Sequence, residues 1–238
     1  METQLETELY DIYQNAKDIN TVKELMIPFL NKIFDIYWRE GTEYYTRRKK
    51  YNEETMKLAE KMIKNLQMYC MTCGISADLV LTSSLNAGTN LMDDSESNGS
   101  LKQETYVPSF SDIDISMLIE NYDNEIAIEI GKKLAVFGFV YKHLFNPFQP
   151  LNSYYSYTKI EDGVEFEVKL RDREKSQIIL NLHKYMETKL SVQEKIAITY
   201  GKLLFKTISR TAFLTFKKLV FERYLAEIEG GFMLEVHY

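Results

Sequence analysis

The sequence predicts an α+β fold: a small mixed β-sheet with helices on one face, between an N-terminal helical arm and a C-terminal helical bundle. Three observations predict it. Segments in which apolar and polar residues alternate with period two are confined to the middle of the chain, between Val80 and Leu170. Ahead of them, apolar residues recur at three- and four-residue spacing, the helical period. After Arg173 the helical period returns and persists. The chain therefore reads as three regions, 1–75, 76–172 and 173–238.

In the first region, residues 5–17 form a helix with Leu5, Leu9, Ile12 and Tyr13 on one side. Asn20 or Thr21 caps the next, with Glu24 at capping-box spacing from Thr21. Its buried stripe is Leu25, Phe29, Ile33, Ile36 and Tyr37, and Pro28 is expected to kink its first turns. Asn52 caps a third helix, 53–73, with Met56, Ala59, Ile63, Leu66 and Tyr69 inward. The run Arg47-Arg48-Lys49-Lys50 reads either as a phosphate or nucleic-acid patch or as a solvated helix end.

In the middle region, Val80-Leu81-Thr82 ends a strand and runs into Ser83-Ser84-Leu85-Asn86-Ala87-Gly88-Thr89-Asn90, a small-residue turn suited to opening a short helix. Residues 92–108 have the composition of a mobile loop, in which Asp93, Asp94 and Glu96 read as solvated acids. The strand Ser109–Ile119 follows, then a helix over Asn124–Phe137 and strands over Val140–Phe145 and Tyr154–Ile160, separated by a loop with Pro147 and Pro150. His143 reads as a structural histidine. Asp162-Gly163 is a hairpin signal leading into a strand from Gly163 to Leu170. In the last region the expected helices are 174–189, 192–209 and 211–229. Ser191 and Glu194 form a capping box for the second, Gly230-Gly231 ends the third, and Phe232–Tyr238 adds a short tail strand.

Composition narrows the function classes. The chain has 238 residues, 45% of them apolar, and a net charge of −6, which disfavours wholesale binding of nucleic acid. No apolar run approaches the roughly 18 residues of a membrane helix, and Met1-Glu2-Thr3-Gln4 is acidic and polar, unlike a signal peptide. A soluble cytoplasmic protein without a membrane partner is expected. Cys70 and Cys73 form a Cys-x-x-Cys, but a zinc site needs two more ligands. The pair also closes a helix rather than opening one, the wrong end for lowering a thiol pKa. Two structural, reduced cysteines are expected.

The chemistry concentrates in Asp112-Ile113-Asp114-Ile115. Alternation places Asp112 and Asp114 on one strand face, where two carboxylates repel and are costly to bury. A divalent cation removes that cost, and hard oxygen ligands suit Mg²⁺. Upstream, backbone N–H groups and hydroxyls of the Ser83-Ser84 turn suit phosphate oxygens. Downstream, Glu165, Glu167 and Lys169 share a strand face.

This order resembles the DNA polymerase β-like nucleotidyltransferases, whose pattern is a Gly-Ser turn, an Asp-x-Asp strand and a later acid between apolar neighbours. The matching residues are Ser83-Ser84 with Gly88-Thr89, then Ser111-Asp112-Ile113-Asp114, then Glu165 or Glu167, over roughly residues 78–170. The resemblance implies transfer of a nucleoside monophosphate from a nucleoside triphosphate to a hydroxyl, with release of pyrophosphate. It implies two catalytic Mg²⁺ or Mn²⁺ ions held by Asp112, Asp114 and Glu167 or Glu165, with that glutamate near the acceptor hydroxyl to take its proton, and phosphates held by Ser83, Ser84, Gly88 and Thr89. It also implies a triphosphate contact from a lysine of the helical part. Lys202 and Lys206, with Arg210 on one helical stripe, are the candidates. The acceptor, whether a small molecule, a protein or an RNA end, is left open, as is a homodimer. Two alternatives stand beside this reading. One is a non-catalytic binding or scaffold protein of the same fold, since Ser83 stands where the family usually has Gly. The other is a pyrophosphotransferase similar to guanosine tetraphosphate synthetases, which share a Val-Glu strand followed by Arg, as in Val164 to Arg171.

Overall fold

The computed structural model describes residues 2–91, 112–143 and 155–228. The expectations for 92–111, for the loop with Pro147 and Pro150, for Gly230-Gly231 and for the tail 232–238 lie outside the described residues. Within them the chain is α+β. In order come α1 (Glu2–Asn15), α2 (Ile19–Thr72), β1 (Ala77–Leu81), β2 (Ile113–Ile119), α3 (Asn124–Val136) and β3 (Val140–His143). They are followed by β4 (Tyr155–Glu161), β5 (Val164–Asp172), α4 (Gln177–Lys189), α5 (Val192–Ile208) and α6 (Arg210–Leu225).

The strands form one mixed sheet of order β1-β2-β5-β4-β3, in which β2 and β5 run parallel and the other pairs antiparallel. The Asp162-Gly163 turn is the hairpin the sequence announces. Both residues have positive φ, 53° and 76°, as a type I′ turn requires. Glycine adopts that conformation freely and aspartate tolerates it.

The described residues fall into two compact units: 2–49, 87–89 and 181–228 in one, 50–86, 90–91, 112–143 and 155–180 in the other. In the first, α1, the beginning of α2, α5 and α6 share a core around Leu9, Phe29, Ile33, Phe205 and Phe216. The Phe205 ring lies 6.2 Å from that of Phe29 and 5.0 Å from that of Phe216, centroid to centroid. The Ser191–Glu194 capping box opens α5 as expected. Two helix starts differ from the sequence reading. Asp18, rather than Asn20 or Thr21, caps α2, its carboxylate accepting from the Thr21 N–H at 2.9 Å. Asn52 caps nothing: α2 runs through it, and its side-chain oxygen accepts from Asn90 Nδ2 at 2.7 Å. The departure from helical geometry falls at Tyr37 (φ −117°, ψ 26°), not near Pro28.

In the second unit the later part of α2 and α3 cover one face of the sheet. Ala59, Met62 and Leu66 of α2 and Ala127, Ile130 and Leu134 of α3 share a core with Ile113, Ile115, Met117, Phe166, Val168 and Leu170. Gly131 lets α3 close on the sheet, because a Cβ there would stand 1.9 Å from the Tyr157 hydroxyl oxygen. No helix among the described residues is long and apolar enough to cross a membrane.

Candidate metal centre

The parallel pairing of β2 with β5 sets Ile113 beside Phe166 and Asp114 beside Glu167. Parallel neighbours present paired side chains to the same face, so the apolar partners enter the core and the acids emerge together on the other side. Asp112 immediately precedes β2 and joins them. Asp112, Asp114 and Glu167 each offer a carboxylate oxygen, and these oxygens all lie within 4.8 Å of one another. Of the two glutamates the sequence left open, Glu167 belongs to this cluster, while Glu165 turns to Lys142, 3.0 Å away.

The serine corner lies against the same strand, in a role other than the expected one. The Ser83 side chain is fully buried. Its hydroxyl donates to the Asp112 carbonyl at 3.2 Å and accepts from the Leu85 N–H at 3.2 Å. One residue earlier, the Thr82 N–H donates to the Asp114 carbonyl at 2.9 Å. The corner thus pins the Asp-x-Asp backbone, and the Ser83 hydroxyl is engaged in doing so rather than turned toward a phosphate. Residues 84–88 form turns rather than the short helix expected, and Ser84 is half-buried.

Gly88, Thr89, Lys202 and Lys206 belong to the other compact unit. There the buried Lys202 ammonium donates to the Thr89 carbonyl at 2.8 Å and to its hydroxyl at 3.3 Å. Arg48 donates to the Gly88 carbonyl at 2.6 Å and lies over the Tyr45 ring at 4.7 Å. Arg48 is therefore neither an exposed phosphate contact nor a solvated helix end. Lys206 is half-buried on α5. Cys70 and Cys73 are free thiols, and burial raises the pKa of Cys70.

Two lysines neutralise much of the acidic cluster. Lys169 on β5 lies 2.7 Å from Asp114 Oδ1 and 3.9 Å from Glu167 Oε1. Lys142 on β3 lies 3.1 Å from Glu167 Oε2 and 4.0 Å from Asp112 Oδ2. Ser156 on β4 donates to Glu167 Oε1 at 2.5 Å. Titration follows from this layout. Burial, together with the charge of Asp114, pushes the Asp112 carboxyl up to about 7. Glu167 goes the opposite way. Burial would raise it, but Lys169, hydrogen bonds from Asp112 and Ser156, and Lys142 outweigh that and hold it down at about 2. Lys142 is held above the ordinary lysine range: burial opposes the shift, and Glu167, Glu165 and Asp112 overcome it.

Further along the same face of β2 and β5 lies a buried polar group that supports the strand. Ser116 on β2 shares a 2.9 Å hydrogen bond with Thr82 and accepts from Arg171 Nε at 3.1 Å. The sequence carried a signal for part of this. Lys169 shares the alternation of Glu165 and Glu167, and Ser156 and Thr158 share one in β4. Lys142 had no such signal, because a β-bulge between Tyr141 and His143 shifts the register of β3 where it lies.

The donor set suits a hard divalent cation: three carboxylates from adjacent strands, converging where an ammonium already stands. The chain matches no protein-family model, no curated protein and no solved structure.

Proposed function

We propose that this chain is a metal-dependent nucleotidyltransferase that moves a nucleoside monophosphate from a nucleoside triphosphate to a hydroxyl acceptor, releasing pyrophosphate. The observation that carries the reading is the convergence of Asp112, Asp114 and Glu167 from parallel neighbouring strands onto one spot. Mg²⁺ or Mn²⁺ held there would stabilise the charge that develops on the attacking and leaving oxygens of an in-line displacement. The chain's own residues supply position and charge. Ser83 and Thr82 fix the backbone carbonyls of Asp112 and Asp114, and Ser156 and Lys169 orient Glu167. Glu167, held ionised, suits a metal ligand, and the chain's contribution is mostly positioning and charge neutralisation.

Charge supports cation binding here. Asp112, Asp114, Glu165 and Glu167 face Lys142 and Lys169, so the cluster is net negative when all are ionised. A second ion accords with the charge that a triphosphate brings. The test is incubation with each α-labelled nucleoside triphosphate, Mg²⁺ or Mn²⁺, and candidate hydroxyl acceptors. Label is expected in an acceptor with wild type and not with Asp112→Ala or Asp114→Ala. Label remaining in the nucleotide across all combinations overturns the reading.

One observation favours the second reading, a non-catalytic binding or scaffold protein: the cluster already carries two ammonium counter-charges of its own. Thermal stabilisation separates the two. The transferase reading expects wild type to be stabilised by nucleoside triphosphate only when Mg²⁺ is present, and Asp112→Ala not at all. The guanosine tetraphosphate-type alternative gains no support, because Arg171, which suggested it, is buried with its Nε on Ser116.

A further inference from the structure

We infer that Lys142 is a displaceable occupant of the cation position: its ammonium holds the acidic cluster closed until a divalent ion takes its place, and is then released to a triphosphate oxygen. The inference rests on the metal-site reading above and adds a regulator to it. The two lysines of the cluster are unlike. Lys169 has a side chain only 11% exposed, is anchored 2.7 Å from Asp114, and extends from the central strand β5. It is a fixed counter-charge. Lys142 is 36% exposed and extends from β3 at the end of the strand order. Its ammonium reaches three carboxylates at once, Glu165 at 3.0 Å, Glu167 at 3.1 Å and Asp112 at 4.0 Å. Two of those three are in the triad proposed to hold the metal.

The oxygens divide the same way. Asp114 Oδ1 faces Lys169, and Glu167 Oε1 accepts from Ser156. Glu167 Oε2 and Asp112 Oδ2 face Lys142. A cation using those last two oxygens competes with the Lys142 ammonium for them, because two positive charges within a few ångströms repel. The displaced ammonium stays tethered beside the site, where a polyanion brought by the metal would meet it. Lys142 is thus expected to weaken metal binding when no nucleotide is present and to strengthen nucleotide binding once metal is bound. A merely structural lysine would do neither in this paired fashion.

The experiment uses the full-length chain with Lys142→Gln, Lys142→Arg and Asp112→Asn variants, each first shown to unfold cooperatively. Mn²⁺ binding is followed by electron paramagnetic resonance or calorimetry, without nucleotide and then with a non-hydrolysable nucleoside triphosphate. The expected result is Mn²⁺ binding at least about tenfold tighter in Lys142→Gln than in wild type without nucleotide. With Mn²⁺ saturating, Lys142→Gln should bind the triphosphate analogue at least several-fold more weakly. Lys142→Arg should stay near wild type in both, and Asp112→Asn should bind little Mn²⁺. Equal Mn²⁺ affinity in wild type and Lys142→Gln overturns the displacement idea and leaves the metal site standing. Absence of Mn²⁺ binding in both overturns the two together.

Discussion

The two faces of the central sheet are built from alternate residues of the same strands, yet they hold together for different reasons. On the helix-covered face, Ile115, Met117, Val168 and Leu170 are wholly removed from solvent and belong to one apolar cluster. Each contributes through transferred area and dispersion, and an apolar side chain of similar volume would largely serve. On the other face, Ser116, Ser156, Glu167, Lys169 and Arg171 are buried almost as deeply, but each depends on a named partner. Burial therefore does not separate scaffold from site in this protein. Specificity of partnership does: the first face tolerates repacking, and the second fails when one member is removed and its partner is stranded.

The comparison is broken most severely from the apolar side. Phe166→Ala removes a ring that is 2% exposed and lies directly before Glu167. The cavity should cost about 3–5 kcal/mol in urea unfolding. A cost under about 1 kcal/mol would mean that the face is less tightly packed than its burial indicates. The next effect comes from the polar side. Lys169→Met keeps most of the aliphatic stem, one atom shorter, and deletes the charge between Asp114 and Glu167. Because both partners retain some exposure, the loss should be about 2 kcal/mol, below that of a fully buried pair. Unlike the Phe166 loss, it should be partly recovered by Mn²⁺, which supplies positive charge to the same carboxylates. Ser156→Ala is milder still, about 1 kcal/mol, through the hydrogen bond to Glu167. It should also raise the proton affinity of Glu167, visible as a shift of that carboxyl resonance to higher pH.

Much of the scaffold was legible because periodicity reports which face is buried. The Asp112-x-Asp114 alternation, the Asp162-Gly163 turn and the Ser191–Glu194 box each state a local rule that the neighbours then obey. The boundaries that went astray involve long-range partners. Asn52 looks like a cap until Asn90, 38 residues on, takes its side chain. Ser83 looks like a phosphate ligand until its hydroxyl is found on the Asp112 carbonyl, 29 residues on. Lys202 reads as part of a basic stripe, but its ammonium is held by Thr89, 113 residues away. Short polar side chains have several plausible partners within the local sequence, and only tertiary pairing selects one. The pair Asp112 and Asp114 was legible for the opposite reason, while the choice between Glu165 and Glu167 was not. Like charges on one strand face have no local solution, so their presence already points outward to a cation or a counter-charge.

The smallest effect is the sharpest test of the comparison, because it has the opposite sign. Asp112→Asn removes a charge that the metal-free fold resists. The side chain is 37% exposed, so solvent screening keeps the gain small, under about 1 kcal/mol, or a rise in Tm of about 1–3 °C. The pH dependence identifies the cause. Asp112 has a folded pKa of about 7, above the ordinary 3.8, so its stabilising contribution is complete below about 3.8 and is lost as pH rises through 7. Glu167, held at about 2 against an ordinary 4.5, contributes above 4.5 and loses that contribution as pH falls toward 2. Metal-free wild type should therefore lose stability between pH 4 and 7 relative to Asp112→Asn, and Mn²⁺ affinity should rise over the same interval as the proton leaves. Urea midpoints at half-unit pH steps for the two proteins measure this directly. A difference between them that stays constant from pH 4 to 8 would show that Asp112 is an ordinary surface acid and that the polar face is not strained by its own charges.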